Sequence, residues 1–428
     1  MERITLKEYN PEDNFSLKIA LLYMIANGLS AAMSTTLSPI TYSLIKYYSI
    51  SEWQIFFINS SYVICFMVMN FSANYAIDNY GVKFSIKLSI ILTILGAWIR
   101  ITKSTTILLF GQTLMAIAGP FVTNCLSKVS NIWFSPRNRV KMTSIMSSSY
   151  MYGLGTGFLI TSIIWQESAD KTADTNNLSN LLLFCAMFSL VISIPVLIYF
   201  KEKPENAPSK TAGETREGFL EGIFILKNKN YLFLFIAFSL ALGNFISLIL
   251  MIYSILSPFG YTENQISNLG LIINFSSGTS KIIVAYVAVT YLSVKKTILL
   301  DFICLIVSIL LFLIAISTKI MFFVYLSSAI LGFFVQMYWG LCLELACDIV
   351  YPVSESHANG YLLFGGCGCG LISNFIVSFF VDNNHPFAFF VFLIFSYLVC
   401  IYCVYQIDDT SKREEGDVIS MSNLLINS

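Results

Sequence analysis

The side chains that could do chemistry in this chain are polar or ionisable groups set inside long apolar segments. Lys281 and Glu344 are charged examples, and asparagine, serine and threonine supply most of the others. Polar groups at membrane depth are costly, so they usually face a cavity or a polar partner. We find no nucleophile placed beside a base, and we therefore expect no enzyme. The chemistry left to such residues is the binding and release of a small solute.

One set of these residues lies in segments that would surround a central cavity, where we predict that they contact the solute. The alternative for any single member is a hydrogen bond between neighbouring helices. We expect Lys128 and Lys281 to extend their amines toward the membrane surface, although Lys281 could instead face the cavity and attract an anion. The set comprises Asn27, Ser34, Thr35, Asn124, Asn244, Ser247, Asn274, Lys281, Gln336 and Trp339.

A second set has the composition of a gate. The loop Asn74-Tyr-Ala-Ile-Asp78-Asn-Tyr-Gly81-Val-Lys83 combines an acid, a glycine and a base. Gly81 permits a tight turn, Asp78 suits the positive N-terminus of a neighbouring helix, and Lys83 would anchor the next helix. The alternative is an ordinary polar turn.

Two acids near the end of a later apolar run extend this gate. Glu344 and Asp348 lie one helical turn apart, so they share a helix face. We predict that they pair with Arg137 or Arg139 on the same side of the protein as Asp78. Proton binding by Glu344 is the alternative.

Cysteine and histidine usage argues against a metal or another cofactor. The ten cysteines fall in or beside apolar runs, where a thiol behaves as a small apolar side chain, and the chain has only two histidines. We therefore predict no cofactor. With 25 basic and 25 acidic residues the net charge is zero, so we expect no nucleic-acid partner.

The composition predicts a membrane protein, because 56% of residues are hydrophobic and 12% are charged, against roughly a quarter charged in soluble domains. A helix that crosses a bilayer needs about 20 apolar residues. Runs of this kind cover 17–42, 54–76, 84–102, 105–131, 140–165, 179–199, 231–257, 265–291, 297–317, 320–347, 356–381 and 386–406.

These runs divide into two groups of six. We predict an N-terminal bundle over 1–200, a cytoplasmic linker over 201–230, a second bundle over 231–406 and a cytoplasmic tail over 407–428. Lysine and arginine concentrate in the segments that share a side with the N-terminus, the linker included. Because basic loops stay in the cytoplasm, both termini are predicted to be cytoplasmic.

The two groups echo each other. Glycines recur at alternate positions in Gly153-Leu-Gly155-Thr-Gly157 and in Gly366-Cys-Gly368-Cys-Gly370, in the fifth and eleventh runs. Repeats of this kind are typical of carriers whose solute site lies between two halves. The alternative is that the glycines only allow close helix packing.

The loop around Asp78 resembles the major facilitator superfamily signature G-x-x-x-D-x-x-G-x-[RK], with Asn74 in place of the first glycine. The stretches 111–139 and 331–355 resemble the FLVCR family, relatives of the feline leukaemia virus subgroup C receptor. Thr36-Leu-Ser-Pro39-Ile and Ala118-Gly-Pro120 are most similar to its branch called disrupted in renal carcinoma. The resemblance implies an all-α membrane protein with the major facilitator fold, twelve transmembrane helices in two pseudo-symmetric six-helix bundles.

The resemblance also implies a carrier of a small organic nutrient such as choline, ethanolamine, pyridoxine or haem. The resemblance also places Met151 and Ile246 among the cavity residues. The positions that cage choline in relatives fall at Ser34, Met151 and Ile246, which offer no aromatic face to a quaternary ammonium group. Neither histidine lies deep in an apolar run, which argues against haem.

We therefore expect a monomeric secondary carrier of a small polar organic solute, working by alternating access within a lipid bilayer. A plasma membrane or a lysosome- or vacuole-like membrane fits this function. The first alternative is an organic-anion carrier with Lys281 as the anchor. The second alternative is a receptor or scaffold that transports nothing.

Overall fold

The computed structural model describes residues 11–40, 44, 52–102, 104–165, 171–204, 223–291, 293–351, 353, 355–383 and 386–408. The long elements among these residues are all helices. In chain order they are α1 (Pro11–Thr35), α2 (Glu52–Tyr80), α3 (Val82–Ile99), α4 (Thr105–Thr123), α5 (Leu126–Trp133), α6 (Pro136–Ile164), α7 (Lys171–Tyr199), α8 (Lys229–Leu250), α9 (Ile252–Leu256), α10 (Glu263–Tyr291), α11 (Val294–Thr318), α12 (Met321–Val335), α13 (Trp339–Ile349), α14 (Glu355–Asp382) and α15 (Pro386–Tyr405).

The helices have the length and composition for the predicted membrane crossings. Within the described residues, nine spans are long and apolar enough to cross a bilayer, with α4–α5 and α12–α13 each counted as one span. The helices α2, α6 and α10 are less apolar, but each has 29 residues. At about 1.5 Å per residue each is about 44 Å long, which exceeds the hydrocarbon core. These three helices lie where the two groups of helices meet.

Two of the predicted crossings are interrupted near their middle, which corrects the expectation of continuous helices over 105–131 and 320–347, and the run 231–257 has a further break at Met251 near its end. The first breaks at Asn124, four residues after Pro120, whose ring removes a backbone donor from the helix. The second breaks at Gln336, where φ is −139°. At both breaks an amide bonds the carbonyl three residues back, which tightens the chain locally.

The first predicted crossing lies slightly earlier in the chain than expected, and its α-helix ends earlier. The helix α1 ends at Thr35 instead of continuing to residue 42, and a 3-10 turn over Ser38–Ile40 follows it. Pro39 accounts for the change, because proline disfavours helical backbone at the residue before it.

The three glycines of α6 pack against two different helices. Gly153 and Gly157 lie against the main chain of α1, where the Gly28 carbonyl fills the space that a Cβ on Gly153 would need. Gly155, between them, faces Phe275 of α10 in the other half. The outer glycines therefore pack α6 within its own half, and the middle one lets the halves approach.

The glycines of α14 repeat this arrangement. Gly366 and Gly370 pack on α8, the first helix of the second half, and a Cβ on Gly368 would lie 3.8 Å from the Met67 sulfur of α2. The predicted internal repeat is therefore a repeat of packing as well as of spacing.

The two halves meet along two seams, α6 against α10 and α2 against α14. Polar contacts mark the first seam: Tyr152 and Thr279 share a hydrogen bond of 3.1 Å, and the Ser162 hydroxyl lies 3.1 Å from the Asn268 side-chain oxygen. The domain boundaries themselves stay a prediction, because residues 205–222 of the linker lie outside the described part.

Replacing Gly153 by alanine should destabilise the protein by about 1–3 kcal/mol, because the Gly28 backbone carbonyl occupies the new Cβ position and cannot move cheaply. Thermal unfolding of the purified protein measures the loss. Gly368→Ala is the matched control, since its Cβ would meet only an ordinary contact with Met67. Equal melting temperatures for both variants would contradict this packing.

Candidate substrate cavity and gate

A cavity of about 80 Å³ lies between the two halves. Its walls come from both halves, with α1, α2, α4 and α6 on one side and α8 and α14 on the other. Hydroxyl-bearing residues on the wall are Ser30, Ser34, Thr35, Thr123, Tyr62 and Tyr150. None of the described wall residues carries a formal charge.

The structure brings three of the predicted cavity residues into this wall, namely Ser34, Thr35 and Ile246. The Ser34 hydroxyl donates to the Ala31 carbonyl at 2.7 Å, and the Thr35 hydroxyl donates to the Leu154 carbonyl of α6 at 2.9 Å. Both oxygens keep acceptor capacity for a solute.

Sequence reasoning missed the aromatic part of the wall, which Tyr62, Phe66 and Tyr150 supply. Tyr62 and Phe66 are one helical turn apart on α2, a spacing that places them on one face. Tyr150 directly precedes Met151, the predicted residue, which lies fully buried in the core. The prediction was therefore wrong by one residue along α6: Tyr150 lines the cavity, and Met151 packs in the core.

Asn27 lies away from this wall and joins three helices. Its amide nitrogen donates to the Ser149 hydroxyl of α6 at 3.1 Å, and its oxygen accepts from the Thr123 hydroxyl of α4 at 3.3 Å. Asn27 therefore forms hydrogen bonds between helices, which was the alternative to a contact with the solute.

Three predicted residues of the second half also bond to nearby helix groups instead of lining the cavity. Asn244 donates to the Ser396 hydroxyl of α15 at 2.5 Å, and Ser247 donates to the Gly370 carbonyl of α14 at 3.3 Å. The Asn274 amide donates to the Gly270 carbonyl of its own helix at 2.7 Å.

Lys281, Gln336 and Trp339 gather where α13 begins. The Lys281 amine lies over the Trp339 ring, 4.9 Å from its centroid, and the side chain is 1% exposed. The expected extension of Lys281 toward the surface is therefore wrong, because α10 buries it against α13. Trp339 stacks on Tyr150 of the cavity wall, with ring centroids 6.3 Å apart and planes 13° apart.

An ion-pair network closes the end of the molecule at which α2 meets α3, which we call the linker end. The Asp78 carboxylate accepts from the Lys128 amine of α5 at 2.7 Å, and its second oxygen lies 3.2 Å from Nδ1 of His357 in α14. Lys128 and Asp78 belong to the first half and His357 to the second, so the contact of Asp78 with His357 crosses between halves.

Asparagines extend this network toward the cavity. The Asn124 amide donates to the side-chain oxygens of Asn70 at 2.8 Å and Asn74 at 2.7 Å. The Asn70 amide donates to the Gly360 carbonyl of α14 at 2.9 Å. Asn124, predicted to line the cavity, therefore lies at the helix break behind the gate, because its amide satisfies two oxygens there.

Two further contacts across the halves lie at the same end. The Asn359 amide donates to the Ser127 hydroxyl at 2.7 Å, and the Thr143 hydroxyl donates to the Glu344 carboxylate at 2.7 Å. We call these contacts, together with Asp78–His357 and Asn70–Gly360, the latch.

The turn between α2 and α3 depends on a residue that sequence reasoning missed. Gly81 has a φ of 87°, which requires glycine, as predicted from the loop. The first amides of α3, those of Val82 and Lys83, donate to the Glu202 carboxylate at 2.9 and 2.7 Å. Glu202 therefore caps the N-terminus of α3. We had expected Asp78 to lie at the N-terminus of a neighbouring helix. The Lys83 side chain is exposed.

The predicted pairing of Glu344 and Asp348 with Arg137 or Arg139 stays a prediction. The side chain of Arg137 lies outside the described residues. Arg139 is buried, and its carbonyl accepts from the Ser130 hydroxyl at 3.1 Å. Asp348 is half-buried near the end of α13. Within the described residues, no group of three or more His, Cys, Asp or Glu could hold a metal ion.

The family model of the Major Facilitator Superfamily matches residues 23–374. The chain belongs to this superfamily. Its fold is similar to that of the superfamily transporter FucP in the outward conformation, with a TM-score of 0.71 at 12% identity over 92% of this chain and 100% of that chain. The predicted fold is therefore confirmed.

The chain is also similar to choline/ethanolamine transporters of the FLVCR family. This similarity confirms the resemblance to that family that the sequence motifs indicated. It is 22% identical to FLVCR2 of Rattus norvegicus over 350 residues, covering 79% of this chain and 64% of the relative. The identity to FLVCR1 of Felis catus is 22% over 359 residues, or 81% and 64% of the two chains. A solute carrier family 49 member 4 homolog of Xenopus laevis is 27% identical over 46% of each chain. The chain thus spans less than two thirds of these relatives' length.

Asp78→Asn should loosen the latch, because it removes the charge that holds Lys128 and His357. Hydrogen exchange of the purified protein should become faster by about tenfold or more in peptides over 74–80 and 355–361. Glu202→Gln is the matched control, since it weakens a cap within one half and should affect exchange near residues 82–85 only. Unchanged exchange at 355–361 in Asp78→Asn would show that Asp78 does not hold the halves together.

Proposed function

We propose that the protein is a secondary carrier that moves a small organic solute across a membrane by alternating access. The observation that carries the proposal is a cavity between two halves that contact each other through the latch on one side. A solute bound there could leave through the linker end only after the latch opens. Membership of a transporter superfamily supports the same function.

The cavity wall favours a solute with an apolar or cationic part. Tyr62, Phe66 and Tyr150 present aromatic faces, which attract ammonium groups, and the serine and threonine hydroxyls supply a few polar contacts. The relatives are named choline/ethanolamine transporters. Choline- and ethanolamine-like solutes are therefore the first candidates, although the relatives' cage positions hold no aromatic residue here, and a vitamin B6-like solute is the next.

The same proposal assigns an orientation and surroundings. The linker end carries Lys83, Lys128 and Lys201, so it is the cytoplasmic side, with both chain termini. The carrier acts as a monomer in the bilayer of a plasma membrane or a lysosome- or vacuole-like membrane.

Uptake into proteoliposomes of radiolabelled choline, ethanolamine and pyridoxine tests this function, each at several concentrations. We expect saturable uptake of at least one. Tyr150→Leu should raise the KM of a cationic substrate by about tenfold, because the loss of one cation–π contact weakens binding by about 1–2 kcal/mol.

Phe184→Leu is the matched control, since Phe184 is an exposed aromatic on α7 outside the cavity, and it should transport normally. A receptor or scaffold predicts no saturable uptake of any solute by well-folded protein. Equal KM values for the wild type and Tyr150→Leu would exclude the aromatic wall as the binding site.

A further inference from the structure

A lysine amine is buried beside the cavity without a hydrogen-bond acceptor among the described residues. Lys281 is 1% exposed, its amine has no hydrogen-bond acceptor among the described residues, and the amine lies over the Trp339 ring. Burying a cation without a partner costs several kcal/mol. Lysines in such positions usually serve a ligand or a mobile partner.

Other unsatisfied groups surround the same point. Gln336 is fully buried, and neither atom of its amide has a partner in the described part of the chain. The Ser144 hydroxyl of α6 is also buried without a partner, and it lies 2.6 Å from where a Cβ on Gly340 would stand. Trp339 and Gly340 are the first two residues of α13.

The helix itself adds to this field. An interrupted transmembrane helix exposes a half-helix N-terminus, which carries a partial positive charge and favours anions. The helix α13 is 11 residues long, and the break at Gln336 sets its start at membrane depth. A lysine amine, an amide, a hydroxyl and a helix N-terminus therefore lie near one another. Two acids are close by: Asp301 of α11 lies beside Tyr338, which directly precedes α13, and Glu344, one turn further along α13, accepts from Thr143.

We propose that the start of α13 binds an acidic group, a carboxylate or a phosphate, on the transported solute. Lys281 supplies the charge, and Gln336 and Ser144 donate hydrogen bonds. The proposal rests on the carrier function proposed above, and it predicts that a solute with both a cationic part and an acid binds more tightly than choline or ethanolamine.

Trp339 connects this subsite to the cavity. Its ring contacts Tyr150 of the aromatic wall and also the Lys281 amine. Rotation of the Trp339 side chain connects the cavity to the region around Lys281. One end of a solute then lies among Tyr62, Phe66 and Tyr150, and its acidic group reaches Lys281. A solute with an ammonium group and an acid, a zwitterion, satisfies both regions.

Three probes that share a trimethylammonium group separate these contributions. Choline has an alcohol, glycine betaine has a carboxylate and phosphocholine has a phosphate. Binding to the full chain in lipid nanodiscs is measured by calorimetry, independently of uptake. We expect betaine or phosphocholine to bind at least about tenfold more tightly than choline, because a charge-assisted hydrogen bond is worth about 1.5–3 kcal/mol.

Lys281→Met should weaken the acidic probes by about 10- to 100-fold and leave choline within about twofold. It should also raise the melting temperature without ligand, since it removes an unpaired buried charge. Lys319→Met is the control, because Lys319 is exposed and should bind all probes normally. If Lys281→Met does not fold, Gln336→Leu is measured in its place and should weaken the acidic probes by about tenfold.

Acidic probes that bind no better than choline, or not at all, overturn the acid subsite, and so does equal binding by Lys281→Met. These outcomes are distinct from failure of the carrier function, which would show as choline, betaine or phosphocholine binding without saturable uptake.

Discussion

A polar group at membrane depth must find its partner within the protein, because lipid offers none, and this constraint determines where the two halves touch. The Asn70 and Asn124 side-chain nitrogens donate to groups on other helices, and the carboxylates of Asp78 and Glu344 accept from groups on other helices. Several of those partners lie in the opposite half. Polar groups buried in one half thus find partners in the other half. A carrier must break these contacts and form them again during each transport cycle.

The glycine spacing complements this arrangement mechanically. On α6 and α14 the outer glycines pack each helix within its own half, and the middle glycine faces the other half. Close packing holds each half together. At the seams, rings of one half pack on glycines of the other, as Phe275 does on Gly155, whereas Gly368 would meet Met67 only in an ordinary contact. Two closely packed halves that meet along these two seams and a polar latch are suited to rocking about a central site.

The sequence predicted the all-helical fold, the repeat and the turn at Gly81, because hydrophobic runs, glycine spacing and a positive φ are local properties. It did not predict the break at Gln336, which no proline or glycine announces, nor the cap from Glu202, which lies far from α3 along the chain. The residues of the cavity wall were harder to predict, because they too depend on contacts between distant parts of the chain. Whether Tyr150 or Met151 faces the cavity depends on the rotation of α6, which packing against α1 and α10 decides.

The central claim is that the latch must open for the solute to cross. It is tested most directly by a disulfide between Cys residues introduced as Asn74→Cys and Gly360→Cys, since Asn74 Cγ lies 3.2 Å from where a Cβ on Gly360 would stand. Uptake of a transported solute by proteoliposomes is measured before and after reduction, beside each single variant. The account predicts that oxidation abolishes uptake in the double variant alone and that reduction restores it. Full uptake by the oxidised, cross-linked protein would contradict it.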